Sequence, residues 1–414
     1  MPFHGFSNDP AGNRRLCCVS PLVVKREDGT PYHVLDSDIG ESQNADNLKE
    51  VRRSMMEGWK HPACNSCWRE EERGRDSLRY VFTEKLFRAG NNIEDSILMH
   101  ESDGTVHENN WQYLDLTLGN ICNLKCKMCN EQSSHKILEE RQKLGLETKG
   151  ERFKWIQNSD IVESLKPYLA SCYEMNFMGG EPLITREHND ILQALVDLER
   201  AHEVRIQYNS NMTTLPKRVL KLWEQFDKIE AGVSIDGYGK IDEYIRYGTN
   251  WQPKVDNIFH IKNQNNVNVD FHITLQALNL TKLPDLLLWI AEWSYEISKD
   301  EPSKIRLLAP HINYVAHYDY LDAKVLPYKL KAEAFAKLQP VLDVFRSFNY
   351  TRVNDWCQTL ENLYTEILNE DKEHEFSNLK DIVRSQDKFR YNNRDKILEL
   401  YPEFEPYWER VEND

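Results

Sequence analysis

Three cysteines stand at C-x3-C-x2-C spacing in the run Gly119-Asn-Ile-Cys-Asn-Leu-Lys-Cys-Lys-Met-Cys-Asn130. Thiolates this close in sequence can converge on one soft metal centre, and three of them leave a fourth position open. An iron–sulfur cluster with an open iron can bind a reactant directly, which makes Cys122, Cys126 and Cys129 candidate ligands of a reactive centre. In a chain with 9 Cys in 414 residues this spacing arises by chance with a probability of about 0.004, so it carries weight on its own. Structural zinc is the competing centre. It wants four ligands, usually as two separated pairs, and the first histidine downstream is His135. A disulfide framework fails, because cysteines this close cannot all pair with one another and the odd total leaves one over.

The elements that must position this run are legible from periodicity. Tyr113–Leu118 alternates like a strand directly before it. Ser159-Asp160 caps a helix, and a strand at Tyr173–Met178, a helix at Arg186–Arg200 and a strand at Val204–Tyr208 follow. A helix near Lys217–Gln225, a strand at Lys228–Ile235 and a helix near Val255–Asn263 come next. Strands at Val267–Leu275 and Lys304–Leu308 flank a helix at Leu283–Ser294. About six β-then-α units predict an α/β fold, a partial parallel (β/α)6 TIM-like barrel with its chemistry at the C-terminal strand ends. Residues 1–110 read as a small, irregular cysteine-bearing domain with a linker at Glu94–Asn110; residues 111–324 form the barrel. Residues 325–414 form a helical C-terminal extension, with helices at Lys329–Phe348, Trp356–Leu368 and Leu379–Leu398, that would serve as a lid or an interaction surface.

Each strand end carries a polar or glycine-rich turn. Gly179-Gly180-Glu181-Pro182 follows the second strand; the glycines permit close backbone approach and Glu181 can accept from an ammonium. Asn209 and Asn211 follow the third strand, and Ser234-Ile235-Asp236-Gly237 the fourth. Taken singly, these could be helix caps. Taken in order with the cysteine run, they resemble the radical SAM superfamily. That resemblance implies a four-iron, four-sulfur (4Fe–4S) cluster on Cys122, Cys126 and Cys129, with S-adenosylmethionine (SAM) chelated at the open iron. Reductive cleavage of SAM would then give a 5′-deoxyadenosyl radical that takes a hydrogen from substrate. By the same resemblance Gly179, Gly180, Glu181, Asn209, Ser234 and Asp236 are cofactor-binding residues, with Glu181 on the SAM ammonium and Ser234 and Asp236 on its carboxylate or ribose side. Arg246 is a candidate clamp for the carboxylate, or else a surface arginine. Met128 stands where the family commonly has an aromatic residue near the adenine, and a thioether can pack there. A flavodoxin- or ferredoxin-type reductant is implied as a partner.

A second cysteine group, Cys17-Cys18 and Cys64-Asn-Ser-Cys67, resembles the auxiliary iron–sulfur module called twitch or SPASM-like, here placed before the barrel. The resemblance implies a second cluster with an unsettled fourth ligand, since adjacent cysteines share one cluster only with strain. His33 and His61 are possible substitutes, and a zinc site is the alternative. Cys172 and Cys357 read as packing thiols, and Tyr208, Tyr314 and Cys172 are candidates by position alone to quench a product radical.

Composition bounds the rest. A net charge of −15, from 52 basic and 67 acidic side chains, disfavours a broad nucleic-acid surface. No run is long enough for a membrane helix, no secretory signal is apparent, and clustered free cysteines point to a reducing cytoplasm. The expected substrate is a peptide, by likeness to twitch-type relatives, although nothing in the first hundred residues reads as a leader-binding winged helix. The alternatives are a nucleotide, sugar or other small metabolite, and, from another class, a non-catalytic metal-binding protein on a decayed scaffold.

Overall fold

The computed structural model describes residues 2–409 except 73, 75, 99, 108–109, 159, 299–308 and 316–317. Its strands are β1 (Gly5–Asn8), β2 (Arg14–Arg15), β3 (Tyr113–Thr117), β4 (Lys125–Cys126), β5 (Glu174–Met178), β6 (Arg205–Ser210), β7 (Lys228–Ser234), β8 (Arg246–Tyr247), β9 (Val267–Leu275) and β10 (His311–Tyr314). Eight of them form one sheet in the order β10-β9-β7-β6-β5-β3-β1-β2, and every neighbouring pair is parallel except β1 with β2. β4 and β8 make a separate antiparallel pair. Five of the barrel strands expected from periodicity are β3, β5, β6, β7 and β9, each separated from the next by helix as parallel pairing requires, and β10, which the sequence reading did not include, continues the parallel run after a further helix. The expected strand at 304–308 lies outside the described residues.

Alternation on the strands separates two faces. Val267–Leu275 alternates buried and half-buried along its whole length. Its buried set includes Phe271, which meets Trp289 and Trp293 of the helix Leu283–Ser298. On the same outer face Phe177 and Tyr208 meet His188, and Tyr208 also meets Trp223. Tyr208 thus packs under helices rather than facing the barrel interior. The inner face is polar: Asp115, Asn176, Gln207 and Glu230 stand side by side across four strands. Asn176 donates to Asp115 at 2.8 Å.

The first 110 residues read as irregular because side chains, not ladders, satisfy much of their backbone. Arg52 is fully buried and donates to the carbonyls of Gly104, Pro2 and Gln43 at 2.7, 3.0 and 2.6 Å. Arg14 is buried as well and lies 4.7 Å over the Trp111 ring. The segment also lends β1 to the barrel sheet, where Phe6 packs 4.9 Å from Trp111. The stretch expected as a linker holds a short helix, Ile93–Leu98, and a bridge between His100 and Val106.

At the C-terminus the helices Tyr328–Ser347 and Thr351–Asn369 form a hairpin against Leu283–Ser298. The helix expected over Leu379–Leu398 is two, Phe376–Tyr391 and Lys396–Leu400. Asn392 ends the first in the left-handed conformation at φ 53°, which its short amide tolerates.

One buried group gives this packing a pH signature. Trp223 donates to the Tyr208 hydroxyl at 3.0 Å, and that hydroxyl lies 2.7 Å from His188 Nε2, as its donor if the ring is neutral there. Burial holds His188 down at about 3, against an ordinary 6.5. Its proton is bound in the unfolded chain but not the folded one between those values. This group therefore removes stability as pH falls from about 6.5 toward 3, by up to about 1.4 kcal/mol per pH unit. Urea unfolding at pH 7 and pH 5 checks this: wild type should lose about 2 kcal/mol more over that interval than His188→Gln.

Candidate functional site

The cysteine run leaves the C-terminal end of β3 as a loop with almost no ladder of its own, and three neighbours hold it. The first is the Gly179-Gly180 turn after β5. Gly179 and Gly180 have φ of 82° and 57°. A Cβ on Gly180 would sit 2.1 Å from the Ile121 carbonyl oxygen, and one on Gly179 would sit 2.4 Å from Thr117 Cγ2. Only glycine lets this turn lie on the loop, and Glu181 N–H then bonds the Ile121 carbonyl at 2.8 Å. The second is the short pair β4–β8, which sets Cys126 opposite Arg246, with Lys127 N–H on the Ile245 carbonyl at 2.8 Å. The third comes from the C-terminal extension. Lys127 Nζ reaches Asp387 at 2.9 Å, both side chains essentially without solvent exposure. Asp387 also accepts from the Tyr244 hydroxyl at 2.8 Å and from Ile397 N–H at 3.0 Å. Arg390 clasps Glu140 with two nitrogens, at 2.7 and 3.1 Å. The extension, expected as a lid or an interaction surface, braces the cysteine loop through these contacts.

Cys122 and Cys126 are buried and Cys129 half-buried. Burial pushes all three thiols up, Cys122 to about 12, and for Cys122 and Cys129 the next cause is the charge of a neighbouring cysteine in the triad. Three largely withdrawn sulfurs that repel one another's charge suit a cationic or iron-bearing centre, and Arg246 supplies opposing charge, with Nη1 4.0 Å from Cys126 Sγ. Among the described residues, the three-ligand group whose donors lie within 4.8 Å of one another is not this triad. A single tetrahedral zinc holds sulfurs about 3.8 Å apart, given bonds near 2.3 Å. His135, the nearest histidine, is used otherwise: its Nδ1 accepts from Cys122 N–H at 3.1 Å.

Glu181 is buried, and its carboxylate accepts from Ser210 Oγ at 2.8 Å, Asn211 N–H at 2.7 Å and Leu183 N–H at 3.2 Å. It joins the ends of β5 and β6 beside Cys122. Asn211 reaches Asn123 of the loop at 2.9 Å, while Asn209 is half-buried on the inner face of β6. Ser234 ends β7, half-buried, with its carbonyl on Lys254 Nζ at 2.9 Å. Asp236 has no exposed surface. One oxygen takes Thr274 N–H at 2.6 Å and the other meets Arg246 Nε at 2.8 Å. Burial pushes its carboxyl up while Arg246 opposes this. Asp236 therefore aims Arg246, and Asp242 with Lys254, 2.7 Å apart and both buried, backs the pair. Met128 is buried in the loop.

The N-terminal cysteines divide. Cys17, Cys64 and Cys67 line one cavity of about 260 Å³, together with Tyr113 and Glu174 at the N-terminal ends of β3 and β5. Cys18 turns away toward Asp115 on the inner face, reachable by solvent but ringed by protein. Neither histidine weighed as a fourth ligand faces that cavity. His33 packs on Gly12 and Trp155, and His61 caps the turn Pro62–Cys64. The two sulfur groups thus lie at opposite ends of β3, which at about 3.3 Å per residue spans roughly 13 Å.

Lys127 and Asp387 carry no motif. A lysine between two cysteines of a buried loop calls for an acidic partner, but nothing in sequence says which of 67 acidic residues it is.

Residues 116–290 match the family model described as the Radical SAM superfamily. That segment, which holds the cysteine run and the strand-end turns, is a radical SAM domain. No curated protein matches it. Solved structures that are similar include native anSMEcpe with bound AdoMet, at 17% identity over 57% of this chain and 60% of that one, with a TM-score of 0.37. Streptococcus suis SuiB bound to S-adenosylmethionine matches at 12% identity over 72% and 68%, with a TM-score of 0.28. SuiB bound to precursor peptide SuiA matches at 12% over 72% and 69%, with a TM-score of 0.27. The chain spans 60% of the length of anSMEcpe.

The brace is testable. Removing one partner of a buried pair costs about 3–5 kcal/mol, whereas an apolar replacement of both is near neutral. Lys127→Met and Asp387→Leu should each lower unfolding free energy by that amount and reduce iron retention. The double variant should recover most of the stability, read by urea unfolding.

Proposed function

We propose that this protein is a radical SAM enzyme whose Cys122, Cys126 and Cys129 hold a 4Fe–4S cluster and whose inner barrel face holds the substrate. The observation that carries the reading is the convergence of the cysteine loop, the Gly179-Gly180-Glu181 turn and Arg246 at one end of the strands, with a bond from Glu181 N–H to Ile121 and Arg246 beside Cys126. With the cluster bound, one electron from a flavodoxin- or ferredoxin-type reductant cleaves SAM to methionine and a 5′-deoxyadenosyl radical, which takes a hydrogen atom from substrate. The chain's residues bind and orient. Glu181 offers the remaining lone-pair capacity of its carboxylate to the SAM ammonium, and Gly179 and Gly180 leave room for it. Arg246, aimed by Asp236, faces the carboxylate; Ser234 and Asn209 line the ribose side, and Met128 the adenine.

Cys17, Cys64 and Cys67, which line one cavity, would hold a second iron–sulfur cluster, and it would supply an electron acceptor for a substrate radical or a point of attachment for substrate. Cys18, aimed at Asp115, stays outside it. The polar inner wall suits a peptide segment or a small polar metabolite, and the twitch-like N-terminal segment makes a peptide the first class to test. Among the described residues no helix is long and apolar enough to cross a membrane, and the reading places the enzyme in the cytoplasm.

Anaerobic reconstitution with iron and sulfide, then dithionite and SAM, should yield 5′-deoxyadenosine, and Cys126→Ala should abolish it. Absence of the product from protein with the cluster confirmed would sink the reading. Metal analysis should find about eight irons per chain, the content of two four-iron clusters. About four irons with zinc present would make the N-terminal site a zinc site instead.

A further inference from the structure

We propose that Asp270, His272 and His311 form a binding site for one divalent transition metal ion of the zinc or iron(II) type, on the inner face of the barrel and separate from both cysteine groups. Each residue offers one donor atom, and the three donors lie within 4.8 Å of one another. Asp270 Oδ2 is 3.0 Å from His311 Nε2, and the two imidazoles meet edge to face with centroids 5.0 Å apart. The backbone enforces this. His272 and His311 are register partners on adjacent parallel strands, and Asp270 precedes His272 by two residues, on the same face. Two imidazoles and one carboxylate converging from neighbouring strands are a borderline-metal donor set that leaves coordination positions open.

Two observations set this apart from an ordinary ion pair. The His272 imidazole makes no hydrogen bond to the described residues, although it is half-buried, so its nitrogens are available for a ligand. Across the sheet, a Cβ on Gly232 would lie 2.6 Å from the Tyr208 carbonyl oxygen, 2.8 Å from His272 Cε1 and 3.0 Å from Nε2, so glycine there admits both the neighbouring strand and the imidazole. Gly232 has no left-handed φ to explain it, and glycine inside a strand marks a close approach. An exposed histidine–aspartate pair, worth at most about 1 kcal/mol, needs neither feature. His311 and Asp270 keep 56% and 35% of their side chains exposed, so an ion can enter. His272 is also the register partner of Ser234. If the SAM reading holds, the ion's open positions would grip an oxygen donor of the substrate beside the SAM end of the barrel; metal binding itself does not depend on that reading.

The test uses the full, cluster-reconstituted protein and Zn2+ alone. Equilibrium dialysis with metal analysis should find about one zinc per chain beyond the cluster iron. His272→Gln and His311→Gln should weaken it at least about tenfold with iron and sulfide content unchanged. X-ray absorption at the zinc edge should show a nitrogen/oxygen shell with imidazole scattering and no sulfur. Zinc bound equally by wild type and His272→Gln, a sulfur shell, or no zinc uptake would overturn the proposal and leave Asp270–His311 a simple ion pair. Loss of 5′-deoxyadenosine formation with zinc binding intact would count against the SAM reading alone.

Discussion

A buried ion pair between Lys127 and Asp387 ties the cysteine loop to a helix 260 residues further along the chain. The loop itself has little regular structure, so nothing local can hold three thiols in a fixed arrangement. Desolvating both charges opposes their attraction: burial pushes Lys127 down to about 8 and Asp387 upward. Such a pair adds little net stability over an apolar contact. Its value here is registry, since Asp387 also collects Tyr244 and Ile397 N–H and so sets where the C-terminal extension seats.

With the loop braced from behind, the front can be built from backbone. Two glycines bring the second strand's turn onto the first strand's loop, and Glu181 locks that turn to the start of the next. Arg246 is placed by β4–β8 pairing and aimed by Asp236. Glu181 is thus held by the end of the neighbouring strand, and Arg246 by Asp236 and the cysteine loop, an arrangement that keeps such side chains rigid. Asp236, a candidate SAM contact in sequence, has no exposed surface and meets Arg246.

The N-terminal segment shows the same economy of parts at the other end. It supplies a strand to the sheet and, through Cys17, Cys64 and Cys67, a sulfur-lined cavity under the barrel, with Cys18 turned into the interior. A polar wall runs between the two ends.

The parallel fold was legible because it rests on local signals. Strand alternation such as Val-Asn-Val-Asp-Phe-His-Ile-Thr-Leu and the amphipathic helices between strands are set by which face each residue must bury. The Cys122–Cys129 run and the glycine turn were legible for the same reason: their chemistry depends on spacing within a few residues. What lay beyond sequence were the long-range pairings. Lys127 with Asp387, Cys18 parted from Cys17, Asp236 committed to Arg246, and the Asp270–His272–His311 cluster all depend on which segments the sheet brings together. Side chains far apart in the chain carry no mark of their partner, because the energy that joins them exists only once both are withdrawn from water into the same place.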